Sequence, residues 1–424
     1  MTVTDPLFDP GVVEEPHPYF AHLREQDPVH YLEGADTFLV SRLALIQQVV
    51  ADTTTYSSRS NEFLSVGTDG TAALRGVLDG EVGTDLPGIL ATADPPDHTR
   101  QRRVLGRVLS AGSIARREPD VRALVDDALR HHIERGHVEW MADVAEPLPA
   151  VVVARLLGLP DDTAPLLKEV GYASVEQIGG FASEAQAAEL RAAMSDLGPV
   201  GEAYGRARNG DGPGPDTVIG ACAEAVATGE LNDLEAFGIL ILLVSAGTES
   251  TTSLLGSGAR LLAEDVLLQD RLRKDPALIP TFVEEACRIE PPFRGHYRVV
   301  TRDTLLGGAA LPAGSHVVLV WPAANRDPDA FENPDGIELE RGSPRHHVGF
   351  GWGIHLCVGA PLARLEARVA FERLLMSTSR FQIASGAEPL THHRSLMIRR
   401  LTELPLVLEA MTPTAEGFGV VRQR

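Results

Sequence analysis

The 424-residue chain is expected to fold as one mainly α domain with small β-sheets at its margin. Three observations predict this. From Pro95 to about Leu268 apolar residues recur at helical spacing, broken only at Gly158-Leu-Pro160 and over residues 209–215. Strand-like patterns are confined to residues 28–32, 37–40 and 297–320. The composition, 44% hydrophobic and 23% charged, belongs to a globular chain able to bury a large core, and no low-complexity stretch is long enough to be a linker.

In chain order, a short helix over 19–25 precedes the first two strands. Residues 57–92, rich in Gly, Ser, Thr and Asp without periodicity, predict a long mobile loop. The helix over 233–264 is the most informative element. Asn232 followed by Glu235 is a capping-box start, and the near-continuous apolar run to Val244 marks a buried central helix. Ser245-Ala-Gly-Thr-Glu-Ser-Thr-Thr252 then places a carboxylate, a glycine and five hydroxyls inside it. Two readings stay open: a kinked helix with satisfied polar groups, or a turn widened at an active site. Strand character returns over 297–320, with turns at Gly307-Gly308 and Pro312-Ala-Gly314. Helix resumes near Ala360, and residues 412–424 predict a loosely ordered tail.

Charge narrows the function classes. With 59 acidic against 38 basic residues the net charge is −21, which argues against nucleic-acid and anionic-membrane partners. Only Lys168 and Lys274 are lysines. Neither follows a glycine loop, which excludes a Walker-type phosphate site, and both sit in polar stretches unsuited to Schiff-base chemistry. Cys222, Cys287 and Cys357 have no CxxC spacing, which fits a reducing compartment. The first ten residues lack a signal-peptide pattern, and the apolar run at 239–244 is far short of the roughly 20 residues of a membrane span, so a cytoplasmic location without membrane contact is expected.

A second constellation is His346-His-Val-Gly-Phe-Gly-Trp-Gly-Ile-His-Leu-Cys-Val-Gly-Ala-Pro361. Alternating Gly349, Gly351 and Gly353 permit close approach to a flat ligand. Cys357 lies just before a helix expected from Val358 to about Leu375, where unsatisfied N–H groups favour thiolate. Gly359 lets that helix approach closely. The glycine spacing fits a dinucleotide fingerprint poorly, and zinc on His346, His347, His355 and Cys357 matches no common spacing.

Phe350-Gly-Trp-Gly-Ile-His355-Leu-Cys357-Val-Gly359 resembles the haem-binding signature of the cytochrome P-450 (haem-thiolate) monooxygenases of soluble bacterial type. Other segments resemble that family's motifs in the same order. They are Ala93-Asp-Pro-Pro-Asp-His98-Thr-Arg-Gln-Arg102, Ala246-Gly-Thr-Glu-Ser-Thr251, Glu285-Ala-Cys-Arg288, Ala324-Asn-Arg-Asp-Pro328 and Phe331-Glu-Asn-Pro334. The likeness spans roughly residues 5–410 and implies a single catalytic domain over 1–424.

The resemblance implies haem b between the central helix and the cysteine segment, with Cys357 as the iron ligand. It places Phe350 beside the sulfur and Ala246, Gly247 and Gly359 against the haem. His98, Arg102, Arg298 and His355 match the partners of its propionates. Glu285 and Arg288 match a buried structural pair, with Arg341 a possible third member, and Cys287 between them reads as packing. Glu249, Ser250 and Thr251 match the segment that delivers protons to bound O2. Serine stands where the family commonly has threonine, which leaves the hydroxyl less restrained. Substrate candidates are Leu243, Ala246, Phe293, Arg294 and His296; Arg294 either meets a polar substrate group or turns outward or toward a propionate. The loop at 57–92 and helices around 165–205 would form a lid.

The implied activity is oxidation of a small organic substrate. Electrons would come ultimately from NAD(P)H through a separate ferredoxin or flavodoxin and its reductase. Oxidative coupling, desaturation or peroxide-dependent chemistry is the alternative; a non-catalytic haem-binding sensor is a remote one. Arg100, Arg102, Arg103, Arg107, Arg116 and Arg117, opposed nearby by Glu118, suggest a positive island docking the redox partner near Arg103 and Arg364.

Overall fold

The computed structural model describes residues 5–67, 71–76, 88–194 and 197–411. The expected tail at 412–424 lies outside them, as do 68–70 and 77–87 of the expected loop. The fold is built around one helix, Asp233–Glu264. Its start is fixed by reciprocal bonds: Glu235 N–H to Asn232 Oδ1 at 2.9 Å and Asn232 N–H to Glu235 Oε2 at 3.0 Å. Arg100 of the helix Asp97–Val108 adds a bond to Glu235 Oε2 at 2.9 Å, so a second element pins the same end.

The helices Pro147–Leu157, Ala164–Gln177, Ile279–Ile289 and Ala360–Ser377 pack around this central helix. Glycines set how closely they cross. A Cβ on Gly171 would lie 2.1 Å from Thr248 Oγ1, and one on Gly258 would lie 2.3 Å from Phe371 Cζ. The first contact fixes Ala164–Gln177 against the central helix, so that part of the expected lid is docked rather than free-standing.

The central helix is α-helical throughout, so the widened turn considered for residues 245–252 is not present. Its hydroxyls instead bond back to carbonyls four residues earlier: Ser245 to Ile241 at 3.0 Å, Thr248 to Val244 at 3.0 Å, Ser250 to Ala246 at 2.6 Å and Thr252 to Thr248 at 3.2 Å. A π-helical turn does occur next door, at Met141–Ala145, where the Ala145 carbonyl accepts from Thr252 Oγ1 at 2.9 Å. By length and composition the central helix could cross a membrane, but 56% of its most apolar window is buried in the molecule, as expected of a core helix.

The main sheet has five strands, in the order Val29–Leu32, Thr37–Val40, His316–Val320, Gly295–Val300 and Tyr56–Ser57. Only the pair Thr37–Val40 and His316–Val320 is parallel. Its register sets Arg298 opposite Val317 and Val299 opposite Ser57, so residues distant in sequence meet at one edge. A three-stranded sheet joins Thr378–Ile383, Pro405–Ala410 and His137–Glu139.

The described part of 57–92 is not simply loop. Glu62–Val66 and Ala72–Gly76 form an antiparallel hairpin, anchored by Val66 N–H to the Gly180 carbonyl at 2.8 Å. The short apolar pair Phe63-Leu64 gives no strand period, and both Leu64 and Ser65 are buried.

Candidate active site

The cysteine segment is tied down from several directions. The Val348 N–H donates to Asn325 Oδ1 at 2.7 Å, and the Cys357 N–H folds back to the Phe350 carbonyl at 2.8 Å. Gly351 and Gly353 have φ of +73° and +67°, which side chains resist. Gly349 is needed for a different reason: a Cβ there would meet the Cys287 carbonyl at 2.6 Å and its Sγ at 2.7 Å, so its close approach is to protein. The helix that follows begins at Ala360, with Gly359 as its N-cap. At Gly359 a Cβ would meet nothing tighter than Cys357 Sγ at 3.8 Å, so no protein neighbour demands this glycine.

Cys357 is accessible by surface area yet surrounded by protein, as a thiol at the bottom of an interior recess would be. Burial pushes the thiol above its ordinary value, against the pull of the Gly359 N–H, Arg102, Arg364 and the Ala360 N–H. The helix start alone therefore does not make it a thiolate; a bound metal would.

Beside it stand four donors: His98 and Arg102 from the helix Asp97–Val108, Arg298 from the strand Gly295–Val300, and His355 from the cysteine segment itself. The rings of His98 and His355 are 4.2 Å apart, and His355 Nε2 is 2.9 Å from Ser58 Oγ. Arg102 Nη2 bonds the Leu356 carbonyl, joining the helix Asp97–Val108 to the cysteine segment. Buried Arg298 donates to its neighbour's carbonyl, Tyr297, at 2.6 Å. Burial, then Arg298, His98, His296 and Arg102, push His355 down to about 2; burial pushes Arg298 down to about 10, against Asp94. Asp94 itself accepts from Ser57 Oγ and from the Ser58 N–H at 2.8 Å. Among the described residues none of the four donors forms an ion pair. Such a set calls for anionic ligands, and together with the accessible thiol it fits a haem with two carboxylates.

On the central helix Leu243, Ala246, Gly247 and Ser250 form a stripe at helical spacing and are half-buried, as are the neighbouring Ile241, Leu242 and Ser245. Gly247 also answers to packing, since a Cβ there would lie 2.9 Å from Val153 Cγ2. Thr251 and Glu249 lie off the stripe and are buried. Glu249 Oε1 accepts from Arg400 Nε at 2.8 Å, while Oε2 has no partner. Burial, opposed by Arg400, pushes this carboxyl up to about 7. Arg400 is shared: Nη1 is 3.4 Å from Glu146, which accepts from Lys168 Nζ at 2.9 Å, and the guanidinium lies 4.5 Å from the Tyr172 ring centroid. No motif pointed to Arg400, 151 positions from Glu249. Lys168, which the sequence places in a polar stretch, is its link toward solvent.

One expectation is overturned and another is cut back. Arg294 neither turns outward nor reaches a propionate partner or the stripe. It is buried, donates to the Val13 carbonyl at 2.5 Å beside Glu290, Arg399 and Glu14, and burial lowers it to about 9. Its neighbour Phe293 forms a β-bridge with Ile398. His296 lies on the same strand face as Arg298 and accepts from Trp321 Nε1 at 2.9 Å; burial and Arg298 lower it to about 4, so it is neutral. Three of the six arginines of the positive island, Arg100, Arg103 and Arg107, are paired with acids. Acids distant in sequence meet its arginines: Glu235 meets Arg100, Glu230 meets Arg103 at 3.2 Å, and Glu224 meets Arg107 at 3.4 Å. Arg364, at 21% side-chain exposure, is bound to Glu284.

Below the cysteine segment Glu285 is fully enclosed by donors. Arg288 Nε and Nη2 bond it at 2.8 and 2.9 Å, Arg341 Nε and Nη2 at 2.9 and 3.2 Å, and the Glu338 N–H at 2.9 Å. Arg288 continues to the carbonyls of Asn325, Pro334 and Gly336, holding the segment before the cysteine. Glu366, on the helix after Cys357, is buried with Oε2 unpartnered, and burial pushes it up to about 8, so it is uncharged at neutral pH.

The cytochrome P450 family model matches residues 218–404. Cytochrome P450 144 of Mycobacterium tuberculosis is 36% identical over 404 residues, covering 95% of this chain and 91% of that protein. The chain belongs to the cytochrome P450 family. The vitamin D(3) 25-hydroxylase of Pseudonocardia autotrophica is 30% identical over 412 residues, covering 95% and 96% of the two chains. A solved structure, the P450 enzyme CxnD for C–S bond formation in chuangxinmycin biosynthesis, superposes with a TM-score of 0.81 at 28% identity, covering 94% and 95%. This P450 is therefore a monooxygenase that uses haem b, O2 and electrons from a redox partner.

Proposed function

We propose that Cys357 binds the haem iron of this single-domain monooxygenase, that His98, Arg102, Arg298 and His355 hold its carboxylates, and that Phe350 flanks the sulfur. The observation that carries this is an accessible thiol deep in the molecule beside four donors without anionic partners. Haem bound there supplies O2 activation by two electrons. The chain's own residues do the rest: Leu243, Ala246, Gly247 and Ser250 offer a largely apolar wall to the substrate, and Glu249 holds a proton near neutral pH. Arg400, Glu146 and Lys168 connect Glu249 toward solvent, and the Ser250 hydroxyl passes the proton inward.

The substrate is a small, largely apolar organic molecule. Because Arg294 is engaged with Val13, Arg294→Ala is expected to leave the dissociation constant unchanged in a spectral titration. Electrons arrive from a ferredoxin or flavodoxin at the face where Arg103 is 68% exposed; Arg364, bound to Glu284, is not part of that surface. The buried central helix and three free cysteines are in keeping with a cytoplasmic enzyme.

A ferrous–CO spectrum with the thiolate-type red shift tests the cysteine assignment, and its absence would undo it. A substrate screen by Soret blue shift followed by mass analysis separates reactions. Gain of one oxygen supports hydroxylation. Loss of two hydrogens supports the second reading, coupling or desaturation, which Ser250 and the likeness to a C–S bond-forming P450 favour.

A further inference from the structure

Glu284 precedes Glu285 in sequence but faces another part of the molecule, and no motif names it. Its Oε1 accepts from Arg364 Nε at 2.6 Å and its Oε2 from Arg364 Nη2 at 2.9 Å. His347 Nε2 is 3.1 Å from Oε2, while His347 Nδ1 accepts the Gly349 N–H at 3.0 Å. Those bonds assign the proton of His347 to Nε2, so the ring is a neutral donor that ties Glu284 to the cysteine segment. Arg364 is thereby held with its guanidinium 4.4 Å from the Phe350 ring centroid. Phe350 is the residue whose carbonyl receives the Cys357 N–H. Glu284, His347, Arg364, Phe350 and Cys357 thus form one run of fixed contacts. It offers the sulfur the cationic member of an ion pair and keeps the anionic member behind.

We propose that Glu284 and His347 are positioning residues that fix the Arg364 guanidinium beside Phe350, and that this charge sets the reduction potential of the haem bound at Cys357. The proposal deepens the reading of Cys357 as the iron ligand and rests on it. One-electron reduction adds negative charge near the sulfur, so a nearby cation favours the reduced form and a nearby anion disfavours it.

The test is a dye-mediated potentiometric titration of purified holoenzyme, with no protein redox partner present. Arg364→Met is expected to lower the potential, and Glu284→Gln, which leaves Arg364 uncompensated, to raise it. Each change corresponds to about threefold to tenfold in the reduction equilibrium, where tenfold is about 59 mV. Arg364→Lys keeps the charge and should fall between wild type and Arg364→Met. Lost packing alone would move both variants the same way, so equal-sign shifts, or none, overturn the proposal. So does an unchanged potential with salt-sensitive slowing of partner reduction, which would make Arg364 a docking residue. Should Arg364→Met give no holoenzyme, the sign for Glu284→Gln decides: a rise supports, a fall or no change overturns. A wild-type ferrous–CO band without the thiolate red shift would instead defeat the Cys357 assignment itself.

Discussion

Two buried carboxylates, one on each side of the proposed haem site, are each bonded to an arginine and end in opposite states. Glu284 has both oxygens engaged by Arg364 and one also by His347. Burial opposes its charge, but these donors win and hold it down to about 2. Glu249 receives one bond from Arg400, has an orphaned oxygen, and shares its arginine with Glu146; burial wins, and it sits at about 7. An arginine neighbour therefore does not decide whether a buried acid is charged. The number of donors on its two oxygens does. On the proposed reading, the cysteine side keeps a permanent charge pattern, and the central-helix side carries a group able to gain and lose a proton near neutral pH.

The fully satisfied extreme is Glu285, and breaking it should have the largest effect. Glu285→Ala strands Arg288 and Arg341 in the core, at a cost of about 3–5 kcal/mol. Urea titration should show that loss, with little folded holoenzyme recovered. The Glu249–Glu284 contrast itself is read from pH. Glu249 is raised above its ordinary 4.5, so its contribution to stability is full below about 4.5 and lost as pH rises through about 7. Glu284 is lowered, so its contribution is present above about 4.5 and lost as pH falls toward about 2. Measured against Glu249→Gln, wild type should weaken by on the order of 3 kcal/mol between those limits; against Glu284→Gln it should weaken by a similar amount in the acid window. Parallel pH profiles for the two variants would remove the distinction.

The same contrast separates what was legible in the sequence from what was not. The central helix announced itself through Asn232, Glu235 and the apolar run to Val244, and the cysteine segment through its glycines. These are local signals, carried by neighbours in the chain. Arg400, Glu146 and Glu284 carry none, because their roles arise from pairings across tens to hundreds of residues. The arginine run at 100–117 meets the same limit: Glu224, Glu230 and Glu235 pair with three of its six arginines from a different part of the chain. From sequence alone Arg294 stays open to a substrate, outward or propionate role, because the Val13 carbonyl that accepts its bond lies 281 positions away. Conversely, the polar residues at 245–252 suggested a distorted helix, when hydroxyls bonding four residues back left it regular.

A sharper probe of the central-helix side is Arg400→Met. Removing the guanidinium leaves burial unopposed, so Glu249 should keep its proton to higher pH. Wild-type coupling, measured as product formed per NAD(P)H consumed, should fall as pH rises through about 7; in Arg400→Met that fall should move upward. If it stays in place, Glu249 is not the group that titrates.

The smallest effect is expected at Ser250. Its hydroxyl already bonds the Ala246 carbonyl at 2.6 Å, so the helix backbone holds part of what a threonine methyl would otherwise enforce. Ser250→Ala removes the hydroxyl and should raise peroxide release per electron pair. Ser250→Thr restores β-branching and should lower it by no more than about twofold, since the gain is only a narrower χ1 distribution. Both changes leave the Glu249–Arg400 contact untouched, so the pH at which coupling falls should not move. A shift of that pH in either variant would mean that Ser250 and Glu249 titrate as one unit, and that the hydroxyl, not the arginine alone, helps set the charge on the central-helix side.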